Sequence, residues 1–173
     1  MSSNVSSTER KFPTPDDLWT VFYHYIRYTG LVRQHLDSYN SFIENYLPEI
    51  IRDYSVIKIS ENLTLHIKDY EIGEPTARIV EVGDKRVTPL ECRLRNLTYA
   101  APLYIKISVT GDVNIKEYKV KLLDLPIMLK SKIDPLSRMS ESELVENGED
   151  PKDPGGYFII NGSERVLIAQ EEL

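Results

Sequence analysis

The spacing of apolar residues changes near Val56 from a helical period to an alternating one. Before this point, apolar side chains recur every three or four residues, as they do on one face of a helix. After it, they alternate with polar side chains, as they do on the two faces of a strand. Helices followed by a run of strands predict an α+β fold, in which flanking helices cover a mixed or antiparallel sheet.

The first predicted helix has a strong start signal. Thr14 is a favourable capping residue, and Pro15 suits the first helical position. Asp16 and Asp17 follow, and their carboxylates favour the positive end of the helix dipole. Gly30 is typical of the position just after a helix. We therefore predict one helix that begins at Pro15 and ends before Gly30.

A second helix is predicted to begin near Asp37 or Ser38 and to carry an apolar stripe as far as Ile51. Pro48 lies inside that stripe. Because proline lacks a backbone N–H and its ring clashes with the preceding turn, we expect Pro48 to kink or split the helix.

Two shorter helices are expected among the strands. Thr88 and Ser140 each precede a glutamate by three positions, which is the spacing of a capping box. The helix after Thr88 is expected to bring three leucines together, namely Leu90, Leu94 and Leu97. These helices therefore interrupt the strand pattern without changing the predicted fold class.

The C-terminal half has several strand signals. Residues 99–130 alternate in the manner of strands, and the apolar run from Leu125 to Leu129 predicts a short buried strand. The segment from Tyr157 to Ile160, the turn Asn161-Gly162 and the segment from Val166 to Ala169 have the pattern of a hairpin. In such a strand, Arg165 and Leu167 would face the side opposite to Val166 and Ile168.

The charge balance excludes a free-standing nucleic-acid binder. Such proteins usually carry a basic excess, because phosphate neutralisation supplies most of their affinity. This chain has a net charge of −6, so any contact with nucleic acid must be local or shared with other chains. With Cys92 as its single cysteine, the chain can form no intrachain disulfide. No apolar run approaches the roughly 20 residues that span a bilayer, and we expect a cytoplasmic protein without membrane contact.

Residues of chemical interest are scattered, and we expect neither a catalytic residue nor a metal site in this chain. The histidines do not lie at metal-ligand spacing from the cysteine; they are His24, His35 and His66. Gly155 and Gly156 precede a predicted strand, whereas the glycines of a phosphate loop precede a helix. We therefore expect the two glycines to form a tight loop where backbones approach closely.

Charged residues form clusters that are expected to be mainly solvated. The acidic cluster comprises Glu141, Glu143, Glu146, Glu149, Asp150 and Asp153. The basic groups are Lys85, Arg86, Arg93 and Arg95; Lys116, Lys119 and Lys121; and Lys130, Lys132 and Arg138. Each basic group is either a solvated face or a phosphate contact. Arg165 differs because it stands among apolar residues, where a long cation needs a partner or a groove.

Four stretches resemble, in family order, the start of the second-largest subunit of multisubunit DNA-dependent RNA polymerases. They are GLVRQHLDSY (30–39), ECRLRNLTYAAPL (91–103), LPIMLKSK (125–132) and PGGYFIINGSERVLIAQE (154–171). The resemblance covers nearly the whole chain from about residue 15. The short segment before that position and the sequence EDPKDP (149–154) resemble archaeal rather than eukaryotic members.

The resemblance implies a fold and an activity. The fold is the first part of the protrusion domain, which flanks the DNA cleft and is completed by a later segment of the family chain. The assembled enzyme transfers nucleotides with magnesium, which is bound mainly by the largest subunit, so this piece alone is expected to be inactive. The implied partners are the largest subunit and the other core subunits, the DNA template, the RNA–DNA hybrid and transcription initiation factors.

Two domain boundaries are expected. Residues 1–13 are interpreted as a flexible N-terminal tail, and residues 14–173 as the N-terminal part of the protrusion, truncated at its C-terminal end. The alternative function is a stand-alone protein that binds polymerase and has borrowed the protrusion fold. A stand-alone protein would show a closed core, whereas a segment would show an open sheet edge.

Five residues are expected near nucleic acid. The segment 161–170 corresponds to a strand beside the RNA–DNA hybrid, so Arg165, Ile168 and Gln170 are expected there. Lys130 and Lys132 are the other two candidates. For Arg165 the alternative is a structural role, in which its guanidinium pairs with Glu164 or with a carboxylate of another segment.

Overall fold

The computed structural model describes residues 13–79, 83–110 and 116–168. Its contacts divide the chain into two units, residues 1–31 and residues 32–173. All of the predicted tail except Pro13 lies outside the described residues. No helix in the described ranges is long and apolar enough to cross a membrane.

The first unit contains the helix α1, Pro15–Thr29. A capping box starts it, because the Thr14 hydroxyl accepts a hydrogen bond from the Asp17 N–H at 3.3 Å. The Asp17 carboxylate accepts one in return from the Thr14 N–H at 2.9 Å. Gly30 follows the last turn with a φ of 79° and donates its N–H to the Ile26 carbonyl. The predicted bounds of this helix are confirmed.

The second unit contains the remaining described elements. Its helical segments are α2 Arg33–Ser41, a π-helix Phe42–Tyr46, α3 Leu47–Asp53, α4 Pro89–Leu94, a 3-10 helix Pro135–Arg138 and α5 Glu141–Glu146. Its strands are β1 Val56–Ser60, β2 Leu63–Ile72, β3 Thr76–Ile79, β4 Gly83–Arg86, β5 Ala100–Thr110, β6 Lys116–Pro126, β7 Phe158–Ile160 and β8 Ser163–Arg165.

Pro48 splits the second predicted helix as expected. The N–H of Leu47 bonds to the Phe42 carbonyl five residues earlier, which makes a wide π turn immediately before the proline. This turn accommodates a ring that would clash with an ordinary helical carbonyl. The predicted start near Asp37 is wrong. The helix begins at Arg33, whose Nε pairs with the Asp37 carboxylate one turn later at 2.6 Å.

The predicted α+β class is confirmed, and the described pairings are antiparallel rather than mixed. The main sheet has the order β1-β2-β5-β6. Tyr39, Ile43 and Leu47 from the helices pack with Leu103 on its apolar face. The opposite face is charged and includes an ion pair of 2.8 Å between Lys119 and Glu71. The alternation in β5 therefore sorts apolar and charged residues onto two faces.

A second core lies beside the sheet. Its buried members come from α4 and the loop before it, the start of β5 with the residue before it, the segment after β6, the 3-10 helix, α5 and β7; they are Val87, Cys92, Tyr99, Ala101, Ile127, Leu129, Leu136, Leu144 and Ile159. The predicted strand from Leu125 to Leu129 is wrong, because β6 ends at Pro126, which has no N–H for a ladder. Ile127 and Leu129 instead donate their N–H groups to the carbonyls of Tyr99 and Tyr157, at 3.0 and 2.9 Å.

The helix α4 has its predicted N-terminal cap but not its predicted leucine cluster. Thr88 caps it as expected, with its hydroxyl 3.2 Å from the Glu91 N–H. The Glu91 carboxylate binds Arg95 at 2.6 Å, which is an i to i+4 pair. The predicted leucine cluster is wrong for Leu94, which is 74% exposed, because the buried side of this short helix is occupied by Cys92.

Cys92 provides a test of this second core. Its thiol is fully buried, and burial, together with the charge of Glu91, raises its pKa to about 11. Because only an exposed thiolate reacts, we expect labelling of the native chain at pH 8 to be at least about 100-fold slower than that of a free cysteine. A chromogenic thiol reagent, applied with and without denaturant, measures the two rates. Rapid stoichiometric labelling of the native chain would show that this core is open.

Candidate nucleic-acid interface

The hairpin of β7 and β8 carries the candidate site. Asn161 and Gly162 form its turn with φ values of 49° and 76°, as the Asn-Gly pair predicts. The turn is fixed to the chain after α4, because the Gly162 N–H donates to the Leu97 carbonyl at 2.8 Å and the Asn161 N–H to the Thr98 hydroxyl at 3.1 Å. The hairpin therefore has a defined position in the second unit.

The predicted second strand of the hairpin is wrong in its extent. β8 ends at Arg165, and Val166 to Ile168 follow it without strand structure. The partner strand explains this end, since β7 begins only at Phe158, and the Gly156 N–H that would continue the ladder donates instead to the Leu129 carbonyl at 2.9 Å. Ala169 and Gln170 lie outside the described residues, so the expectation for Gln170 stays a prediction.

A groove of about 690 Å³ lies beside this hairpin and has mainly apolar walls. Helix α2 supplies one wall, the end of β6 and Met128 a second, and the hairpin with the segment after it a third. The lining residues are Gln34, His35, Ser38, Tyr39, Phe42, Leu125, Pro126, Met128, Phe158, Ile160, Arg165, Val166, Leu167 and Ile168. Arg165 and Ile168, which the resemblance places in the same segment, both line this groove.

The segment Arg165 to Ile168 lines the groove with every one of its residues. The predicted alternation of these side chains is wrong, because the chain leaves the strand geometry after Arg165. Leu167 and Ile168 are 65% and 81% exposed. The groove is therefore bounded by apolar side chains that the rest of the described chain does not cover.

The α2 wall was not predicted from the sequence, although His35 is half-buried there and a surface or half-buried position is what the sequence indicates for the histidines. Tyr39 is its fixed element, since its hydroxyl donates to the Pro126 carbonyl at 2.7 Å and its ring packs edge to face on Phe158. Burial raises the pKa of Tyr39, so its hydroxyl stays neutral and keeps donating. The available signal was the stretch 30–39, which carries part of the family resemblance.

Arg165 is exposed at the edge of the groove. Its predicted structural pairing with Glu164 is wrong, because the Glu164 carboxylate binds Arg93 at 2.9 Å. Adjacent strand residues point to opposite faces, which separates the two side chains. Among the residues that the structure describes, no carboxylate lies within ion-pairing distance of Arg165. Its guanidinium is therefore available to an anionic ligand.

The two candidate lysines lie elsewhere and do not line the groove. The Lys130 ammonium donates to the carbonyls of Pro151 and Asp153 and so holds a loop. Lys132 forms an exposed ion pair of 2.6 Å with Glu44. The structure brings neither lysine together with Arg165.

Several other basic residues are likewise engaged by carboxylates. Pairs on the surface include Arg86 with Glu74 at 3.2 Å and Lys106 with Asp69 at 3.0 Å. The neighbouring carboxylates lower the charge that these lysines and arginines present to solvent. This arrangement favours the solvated-face interpretation of the basic groups over a phosphate contact.

The acidic cluster is only partly a solvated surface. Glu149 has a side chain that is 5% exposed, and it accepts two hydrogen bonds from Arg93 at 2.9 and 3.0 Å. The interpretation of Glu149 as solvated is therefore wrong, because a buried carboxylate needs the compensating charge of Arg93. Within the described ranges, no three Asp, Glu, His or Cys side chains form a group able to hold a metal ion.

Comparison with known proteins gives concordant matches. The family described as RNA polymerase beta subunit matches residues 30–173. The chain is 49% identical over its whole length to the DNA-directed RNA polymerase subunit Rpo2 of Saccharolobus shibatae, of which it covers 15%. It is 39% identical, over 86% of its length, to subunit Rpo2N of Methanocaldococcus jannaschii and covers 31% of that protein.

A eukaryotic relative is also similar along most of this chain. The chain is 36% identical, over 93% of its length, to the DNA-directed RNA polymerase III subunit RPC2 of Schizosaccharomyces pombe, and it covers 14% of that protein. The chain thus spans about a seventh of the length of the undivided relatives that it matches. The resemblance found in four stretches is confirmed, including its archaeal character, and the chain belongs to the RNA polymerase beta subunit family.

Proposed function

We propose that this chain is part of a DNA-dependent RNA polymerase, in which it flanks the DNA cleft and lies beside the RNA–DNA hybrid. The family and the relatives along the whole chain support this proposal over the alternative of a stand-alone polymerase-binding protein. The proposed partners are the largest subunit, the other core subunits, the DNA template, the hybrid and transcription initiation factors.

The chemistry of nucleotidyl transfer is proposed to belong to the assembled enzyme. As the family resemblance implies, we place the magnesium ion mainly on the largest subunit and expect this chain alone to be inactive. The role of this chain is then to hold nucleic acid in position, which affects how long a complex survives rather than the bond that forms.

The single observation that carries the proposal is Arg165 at the groove, with no carboxylate of the described residues in ion-pairing distance. A guanidinium can donate two parallel hydrogen bonds to a phosphate. Apolar neighbours such as Leu167 and Ile168 reduce the local dielectric and so strengthen a charge contact. The net charge of −6 requires such a contact to be local, and one arginine in an apolar groove meets that requirement.

Replacing Arg165 by alanine in the assembled polymerase is expected to shorten the lifetime of early transcribing complexes about fivefold at low salt, because one charged hydrogen bond is lost. The plot of log stability against log salt should become shallower by about 0.7–0.9, which is the contribution of one phosphate contact. Dissociation of labelled transcript over a salt series measures both quantities.

A matched control removes a lysine that is already paired. Lys119 binds Glu71 at 2.8 Å on the charged face of the sheet, so Lys119→Ala should leave complex lifetime unchanged. Because Arg165 is exposed, Arg165→Ala should change the free energy of unfolding by less than about 0.5 kcal/mol. A lower unfolding temperature with a normal complex lifetime would instead assign Arg165 a structural role.

A further inference from the structure

Arg93 connects three segments that are distant in the sequence. Its Nη1 donates to both oxygens of Glu149, its Nε to Glu164 at 2.9 Å and its Nη2 to the Tyr157 hydroxyl at 2.9 Å. The Tyr157 hydroxyl in turn donates to Asp153. The planar fork of one arginine thus joins α4, the loop before β7 and strand β8.

The contact with β8 reaches the residue next to Arg165. Because side chains alternate along a strand, binding Glu164 toward α4 turns the next side chain toward the opposite side, where the groove lies. Two consequences follow from this geometry. Strand β8 is held at a fixed orientation, and the carboxylate nearest to Arg165 in the sequence is kept away from it.

We infer that Arg93 is a positioning residue, which acts through Glu164 to present the Arg165 guanidinium at the groove, away from the Glu164 carboxylate. This inference rests on the proposed function of Arg165 as a contact to the nucleic acid. Arg93 acts from within the chain, since it donates four hydrogen bonds to side chains of the same chain.

The two carboxylates that Arg93 binds differ in burial, and this difference determines which substitutions can test the inference. Glu149 is nearly fully buried, so removing Arg93 leaves an uncompensated charge and threatens the fold. The Glu164 side chain is 56% exposed, so removing its carboxylate breaks only the contact between Arg93 and β8. Glu164→Gln removes the same charge but keeps an oxygen that can accept the Arg93 Nε–H, so it separates orientation from charge.

The experiment compares Glu164→Ala, Glu164→Gln, Arg165→Ala and the double variant Glu164→Ala/Arg165→Ala in the assembled polymerase. Lifetimes of early transcribing complexes are measured over a salt series. We expect Glu164→Ala to shorten the lifetime about two- to threefold relative to Glu164→Gln. In the Arg165→Ala background, Glu164→Ala should have no further effect, because the two residues act on one contact.

Glu71→Ala is the matched control, since it breaks an exposed ion pair with Lys119 on the charged face of the sheet. It should leave the lifetime unchanged. Equal lifetimes for Glu164→Ala and Glu164→Gln, or additive effects in the double variant, would overturn the positioning role while leaving the function of Arg165 intact. A normal lifetime of the Arg165→Ala complex would overturn the proposed function and, with it, this inference.

Discussion

Replacing Asp134 by alanine is expected to lower the free energy of unfolding of this chain by about 3–5 kcal/mol. The Asp134 carboxylate is fully buried. It accepts hydrogen bonds from the Tyr99 hydroxyl at 2.8 Å, the Lys130 N–H at 2.6 Å and the Leu136 N–H at 3.3 Å. Alanine would leave these donors unsatisfied in the interior, and each buried unpaired group costs about 1–3 kcal/mol.

Urea unfolding followed by circular dichroism measures this loss. Asp150→Ala is the matched control, because Asp150 also accepts a backbone N–H, from Lys152 at 2.8 Å, but lies exposed. Its expected loss is below about 1 kcal/mol, since water can replace the lost acceptor. If the two variants lose equal stability, the buried network does not contribute as its geometry indicates.

The pH dependence of stability gives a second measurement of the same residue. Burial raises the pKa of Asp134 above its ordinary value of 3.8, against the hydrogen bonds that lower it. The folded state therefore holds this proton more tightly than the unfolded state. The stability that this proton contributes is fully present at pH values below the pKa of Asp134 in the unfolded chain. It is lost as the pH rises through the pKa of Asp134 in the folded chain. Asp134→Asn should lack this component of the pH profile.

Features set by neighbours in the sequence were predicted well. The capping box of α1 joins Thr14 and Asp17, three positions apart, and both of its hydrogen bonds are present. The hairpin turn depends on Asn161 and Gly162 alone, whose left-handed conformations are local preferences. The split at Pro48 follows from the chemistry of one residue. Such features do not depend on contacts with residues that are distant in the sequence.

Features set by distant partners were not predictable in the same way. β8 stops at Arg165 because the Gly156 N–H, which would continue the ladder, donates to the carbonyl of Leu129, which belongs to another segment. Arg93 finds Glu149 and Glu164 at separations of 56 and 71 residues. A basic group and an acidic cluster were visible in the sequence, but their pairing depends on how α4 packs against β7. The separation of Arg165 from the Glu164 carboxylate depends on that pairing in turn.

The family resemblance supplied what periodicity could not. It predicted that the segment 161–170 belongs to the site, and the structure places part of that segment at a groove. It did not indicate the α2 wall, because contacts between Tyr39 and Phe158 arise only in three dimensions. The sequence thus predicted the hairpin wall of the groove, whereas the α2 wall became evident only from the fold.

Replacing Gly155 by alanine is expected to lower the free energy of unfolding by about 3–4 kcal/mol, because two separate costs combine. Gly155 has a φ of +71°, a left-handed conformation that is unfavourable for alanine. A Cβ at this position would also lie 2.5 Å from the Leu129 carbonyl oxygen and 2.8 Å from Lys130 Cβ. The carbonyl cannot move freely, since it accepts the Gly156 N–H at 2.9 Å.

Gly83 separates these two costs. It has a similar φ of +83°, but a Cβ built on it meets no atom of the described residues within 4 Å. Gly83→Ala should therefore show the backbone cost alone, about 1–2 kcal/mol, while Gly155→Ala should show that cost and the collision with a backbone carbonyl. Urea unfolding of the two variants, compared with the unaltered chain, gives both values. Equal losses would mean that the loop around Gly155 relaxes without strain, and the close approach of the two backbones would then not be what requires a glycine there.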